Sequence, residues 1–110
     1  PLELRTEVHD LIMVTLHTPG LAKTPDQMLL ADIDWMMVGS PWEQFMANKT
    51  MIRFEYSAYS DEEFATGRIA FLKSVAARDS QYYLPLFEGK YGAQARSNVA
   101  RELAEMGASV

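Results

Sequence analysis

The apolar positions of the chain recur at helical spacing in five successive segments. Leu4, Val8, Leu11, Ile12 and Leu16, with Thr15 among them, stand three or four apart, which predicts an amphipathic helix over residues 2–17. Pro19-Gly20 in TPGLAK cannot continue it. TPDQ then restarts a helix: Thr24 is placed to cap, Pro25 suits the first helical position, and Gln27 can return a bond to the capping backbone. That second helix is expected over 25–38, with Gly39 as its stop. SPWE repeats the grammar at Ser40, Pro41 and Glu43, opening a third helix over 41–58 through Phe45, Ile52, Tyr56 and Tyr59. SDEE repeats it again at Ser60, opening a fourth over 61–77 carried by Phe64, Phe71, Leu72 and Val75. DSQYYLP reads as extended, because its tyrosines favour β structure and Pro85 restrains the residue before it. Pro85 then opens a last helix over 85–106 through Phe87, Tyr91, Ala95, Val99 and Met106, ending at Gly107. No alternating strand pattern, internal repeat, low-complexity tract or linker appears. The pattern predicts an all-α, single-domain bundle of about five helices spanning 1–110.

Composition narrows the class. At 110 residues and 48% hydrophobic, the chain suits one packed core and is too short for two. The absence of cysteine excludes disulfides and thiolate metal sites and fits a reducing compartment. The formal charge is -5, and the ten Lys and Arg residues are scattered rather than clustered. Such a chain has no cationic footprint for a phosphate backbone, so nucleic acid is not an expected partner. The apolar runs LIMV and WMMV are far shorter than the ~20 residues of a membrane span, and a cytoplasmic protein is expected. The chain starts at Pro1 rather than Met, so it is either processed or preceded by a further segment.

The first stretch with chemical interest is EVHDLIMVTLHTPG. His9-Asp10 has the look of a metal-binding pair, yet no histidine precedes it, and Asp10 and His17 are about two turns, roughly 10 Å, apart along a helix. A surface histidine beside a solvated aspartate is the simpler reading, with His17 a helix-terminal residue bonding the last carbonyls. In the fourth helix, at ~100° per residue, Arg68 falls between Phe64 and Leu72 on the apolar face. A buried guanidinium needs a carboxylate, and Glu55 in MIRFEY is the expected one. The alternative is an anion-binding arginine that uses its planar fork on a small ligand, with Arg53 and Tyr56 lining the same pocket. Asp32 and Asp34 lie on opposite edges of the Leu29, Leu30, Ile33, Met36, Met37 stripe and are not expected to share a site. Trp35 and Val38 fall opposite that stripe. Asn98 sits on the apolar side of the last helix, where such residues bond backbone or a buried neighbour. Trp35, Met36, Met37 and Trp42 concentrate at one helix junction, where an adaptable apolar pocket is possible.

From VHDLI onward the chain resembles the C-terminal half of a bacterial family of metal-dependent phosphohydrolases of the HD superfamily. VHDLIMVTLHT, LLADIDWMMVGSP, MIRFEY, FATGRIAFL and YGAQARSNVARELA carry the resemblance in the family's order. It implies an HD-like helical fold, places His17 rather than His9-Asp10 at the family's position, and matches Asp32 to the superfamily's final aspartate ligand. The family's metal-binding histidines and its His-Asp motif belong to an N-terminal half without counterpart here. One carboxylate and one imidazole hold a hydrolytic metal poorly, so no catalytic residue, metal ligand or cofactor is assigned. The expected function is a non-catalytic HD-like binding or interaction module that self-associates as a homodimer. Its candidate binding residues are His17, Asp32, Arg53, Glu55, Tyr56 and Arg68, with a small anionic ligand possible. The alternative is a metal-dependent phosphohydrolase completed by the missing half or a partner chain.

Overall fold

The computed structural model describes residues 2–13, 17 and 20–108. Thr15, Leu16 and Pro19, which the sequence places at and after the end of the first helix, lie outside the described residues. Five helices form an all-α bundle: α1 (Leu2–Met13), α2 (Pro25–Asp34), α3 (Trp42–Glu55), α4 (Asp61–Ala76) and α5. The last enters at Pro85–Phe87, passes through a single π turn at Glu88–Gly92 and continues as Ala93–Glu105. Among the described residues no helix is long and apolar enough to cross a membrane.

Two of the three expected capping boxes form. Thr24 Oγ1 accepts from Gln27 N while Gln27 Oε1 accepts from Thr24 N, and Ser60 and Glu63 exchange the same pair of bonds. The third does not form, because Pro41 is extended (φ -51°, ψ 148°) and itself takes the cap position of α3. Ser40 Oγ turns back to donate to Met37 O at 2.7 Å.

α2 stops four residues short of Val38. Trp35 N–H reaches both Ala31 O and Asp32 O, and the chain tightens into a 3-10 turn at Met36–Gly39. That turn is the hub of the bundle, since α5, α3 and α2 all pack on it. Gly39 is required there by close approach: a Cβ would stand 2.6 Å from both Tyr82 Oη and Tyr91 O. Asn98, fully buried on α5, fixes the same turn by donating to Val38 O (3.0 Å) and Ser40 O (2.7 Å), as its place on the apolar side predicts.

The core is built from Trp35, Val38, Phe45, Leu72, Val75, Tyr82, Ala95, Val99 and Leu103. Two expectations about its faces are corrected. On α2 and its 3-10 extension the inward residues are Ala31, Asp32, Trp35 and Val38, whereas Leu29, Ile33 and Met37 of the apparent main stripe stay exposed. On α4, Leu72 and Val75 are fully buried, but Phe64 is half-buried and Phe71 lies at the surface. The physical reason is coverage. Helix α4 packs against α5, which shields one side of its broad apolar face and leaves the other open. Helix α1 packs beside α2 and buries no residue; Leu4, Val8 and Ile12, one turn apart, are all exposed.

Candidate functional site

The six candidate residues divide among three places, with Arg53, Tyr56 and Arg68 at one, Asp32 at another and His17 at a third, and Glu55 belongs to none of them. Arg68 is buried, as its angular position requires, but its partner is not Glu55. Its Nε and Nη2 donate to the two oxygens of Glu102 on α5, each at 2.8 Å. Glu55 is exposed at the last turn of α3. Glu55 is the acid on the helix next in sequence, whereas α4 faces α5. Glu102 shares the inward face of Ala95, Asn98, Val99 and Leu103, and that spacing was the signal that identifies it. Lys49 Nζ joins the cluster at 2.9 Å from Glu102 Oε2. The rings of Phe45 and Phe71 lie 5.5 and 5.4 Å from the guanidinium carbon, close enough for cation–π attraction. Burial pushes the Glu102 carboxyl up, but hydrogen bonds and charge from Arg68 and Lys49 outweigh it and hold the group below its ordinary value.

Above this cluster, α3 and α4 diverge from their shared turn and leave a groove of about 460 Å³. Ile52 and Tyr56 form one wall, Phe64 and Phe71 the other, with Tyr59 at the turn and Arg68 at the base. Gly67 opens the floor, since a Cβ there would meet nothing within 4 Å. Arg53 closes the turn end. Its Nη1 donates to Tyr56 O at 2.9 Å, and its Nη2 to Tyr59 O at 3.0 Å and Asp61 Oδ1 at 2.8 Å. Its guanidinium also lies 5.1 Å from the centre of the Phe64 ring. These bonds satisfy carbonyls beyond the end of α3, which is why the helix stops at Glu55 rather than near 58. Tyr56 and Tyr59 stand exposed with ring centres 5.9 Å apart. The groove therefore unites Tyr56 and Arg68, with Arg53 shaping its end.

Asp32 is spent on the fold. It is 1% exposed, and its two oxygens accept from Tyr83 N and Leu84 N, both at 2.8 Å. The pair of bonds pins the 78–84 connection against α2; the segment is not extended as its tyrosines suggest but bends at 79, 81, 83 and 84. Glu88 pins the other side of that connection: it accepts from Ser80 Oγ, Gln81 N, Tyr82 N and Arg96 Nη1. Burial raises its pKa and these donors lower it more, so it lies below the ordinary carboxylate value. Its carboxylate passes across Gly92, where a Cβ would collide with it. Nothing in the local sequence marks Glu88 for this task. Tyr82, buried between these clamps, donates to Trp35 O at 3.0 Å, and burial pushes its hydroxyl up to about 12.

His17 lies elsewhere, on the far side of Trp35. The carbonyls of residues 14–16, at the end of the helix that the sequence predicts, lie outside the described residues. His17 Nε2 pairs with Asp34 Oδ2 at 2.5 Å, and its ring centre is 4.3 Å from that of Trp35. Its own carbonyl accepts from Arg78 Nη2 at 2.7 Å, and the Arg78 guanidinium covers the Trp35 ring at 4.3 Å. The backbone of His17 is left-handed, φ 55°, a conformation that costs a non-glycine residue energy. Asp32 and Asp34 thus serve separate purposes, as their angular separation predicts. His9 and Asp10 form an exposed pair at 3.4 Å. Among the described residues no three His, Asp or Glu side chains are grouped to hold a metal ion. Comparison with known protein families, with characterised proteins and with solved structures finds no match to this chain.

Proposed function

We propose that this chain is a non-catalytic, HD-like helical interaction module that associates with a second copy through the α3–α4 groove. The observation that carries the reading is the groove itself: aromatic walls, a glycine floor and open access. Exposed apolar surface of this kind marks interfaces. The polar candidates support it from the other direction. Asp32 is fully engaged by two backbone amides, Glu102 holds the Nε–Nη2 edge of Arg68, and Arg53 is bound by the turn. These side chains hold the fold rather than face a substrate. Radical footprinting over a concentration series tests the proposal. Modification of Tyr56 and Tyr59 is expected to fall as the protein is concentrated, while that of Tyr83, exposed outside the groove, stays constant. Equal behaviour of all three would refute it.

A second reading, the phosphohydrolase completed by further sequence or a partner chain, is favoured by one observation. Asp34 is half-exposed beside a His17 ring that is itself mostly buried, so a carboxylate and an imidazole are together, with the left-handed backbone of His17 and Arg78 adjacent. The resemblance matched Asp32 to the ligand position, yet it is Asp34 that stands beside the histidine. On this reading the pair supplies two ligands of a metal whose others come from elsewhere. Turnover of an aryl phosphate with manganese or magnesium, lost in Asp34→Asn, would establish it. Absence of turnover in the chain joined to its completing partner would dismiss it.

A further inference from the structure

We infer that the occupant of the groove is α1 of the second copy, entering by Leu4 and Val8, so that two chains exchange their first helices. The inference rests on the groove being the binding surface, as proposed above, and names what fills it.

Helix α1 is the element with an unmet requirement. It has 12 residues and buries none of them, and helices of that length are marginal in water without packing. The side turned toward α2 is largely polar, with Glu3, Thr6, Asp10 and Leu11 against Thr24 and Gln27. Leu4 and Val8 are 55% and 48% exposed. At four residues apart they present two apolar side chains one turn from each other on a single face.

The groove is the matching receptor. Ile52 and Tyr56 stand one turn apart on one wall, opposite Phe64 and Phe71, and an amphipathic helix lays such a pair of side chains into a groove of this kind. The charges at its edge also fit. Arg5 borders the Leu4–Val8 stripe on one side and Glu7 on the other, and Glu63, exposed, lines the groove on α4, so the helix enters with its Arg5 side toward α4. Because every chain carries both the helix and the groove, a reciprocal exchange fills both grooves and covers both stripes. The assembly closes as a two-fold dimer with neither element left over. An unrelated helix in the groove would leave the chain's own stripe exposed.

The test uses two variants and their mixture, read by sedimentation velocity. Val8→Asp places a charge in the stripe, and Gly67→Trp puts an indole into the groove from a position where a Cβ meets nothing within 4 Å. Circular dichroism checks that both keep their helices. Each variant alone is expected to weaken dimerisation at least tenfold. Mixed in equal amounts they are expected to form a heterodimer, because the intact α1 of the Gly67→Trp chain can enter the intact groove of the Val8→Asp chain. Failure of the mixture to associate overturns the inference. If Gly67→Trp dissociates the dimer and Val8→Asp does not, the groove is the interface but α1 is not its occupant. If the wild-type chain is monomeric, or neither variant changes its dimer, the groove reading fails as well.

Discussion

Arg68 and Glu102, 34 positions apart in the chain, meet through two parallel hydrogen bonds of 2.8 Å in the interior of the bundle. They tie α4 to α5 at the base of the groove. Removing Glu102 leaves the Arg68 guanidinium buried without its carboxylate, which typically costs about 3 to 5 kcal/mol, whereas removing Arg68 leaves Glu102 with Lys49 at 2.9 Å. Glu102→Ala is therefore expected to lower stability by that amount, and Arg68→Ala by less. A double-mutant cycle between positions 68 and 102, read by denaturant unfolding, should show strong coupling. The cycle between 68 and 55 should be additive, because Glu55 is exposed at the end of α3. Coupling to 55 and additivity with 102 would contradict the packing of α4 on α5.

The same carboxylate sets an acid limit. Glu102 has a folded pKa below the ordinary 4.5, so the unfolded chain binds a proton at higher pH than the folded one. Its contribution is fully present above about pH 4.5, and it is lost as pH falls through the lower, folded value. Glu88, also depressed, adds to the same slope. Thermal midpoints of the wild type should fall steeply below pH 4.5. In Glu102→Gln the midpoint should start lower at neutral pH and fall less steeply in acid. Parallel curves for the two proteins would show that Glu102 does not titrate with folding.

Asp32 offers a test that separates structure from ligand binding. In Asp32→Ala the amides of Tyr83 and Leu84 lose a charged acceptor, and hydrogen bonds to charged groups are worth ~1.5 to 3 kcal/mol each. Hydrogen exchange should accelerate at these two amides, and stability should drop by about 2 to 3 kcal/mol. Asp32→Asn has one acceptor oxygen in place of two and should lie between the wild type and Asp32→Ala. Unchanged exchange at 83 and 84 would mean that the carboxylate is free for another role.

Two glycines are expected to respond in opposite directions. Gly67 lies inside α4 with open space where its Cβ would be, so Gly67→Ala should stabilise the monomer by up to ~1 kcal/mol through helix propensity. Gly39 faces Tyr82 Oη and Tyr91 O at 2.6 Å, so Gly39→Ala should destabilise by about 1 to 3 kcal/mol through overpacking of the hub turn. Chemical denaturation of the two variants side by side checks both signs.

What was legible in the sequence follows the range over which each interaction acts. Capping boxes are local, so Thr24–Gln27 and Ser60–Glu63 were readable and both form. SPWE had the same letters, but Pro41 took the cap position and Ser40 turned toward Met37 O, a competition that residue types alone do not decide. The burial of Arg68 was readable because angular position depends only on its own helix. Its partner was not, since that depends on which helix packs opposite. The inward face of α2 was read the wrong way round for the same reason: Leu29, Ile33 and Met37 made the more apolar stripe, yet Trp35 and Val38 meet the core. For the candidate site, Arg68, Tyr56 and Arg53 were found, and the structure gathers them at one groove. Glu88 and Arg78 were missed because their bonds reach segments brought near only by folding, Ser80–Tyr82 for one and His17 for the other.

The most direct test of the account is the mass of the wild-type chain in solution beside that of Gly67→Trp, measured by sedimentation equilibrium across micromolar concentrations. The account predicts that the wild type approaches the mass of two chains as concentration rises, while Gly67→Trp, helical and folded, remains at the mass of one. A wild-type chain that stays monomeric throughout, or a Gly67→Trp chain that dimerises as readily, would contradict it.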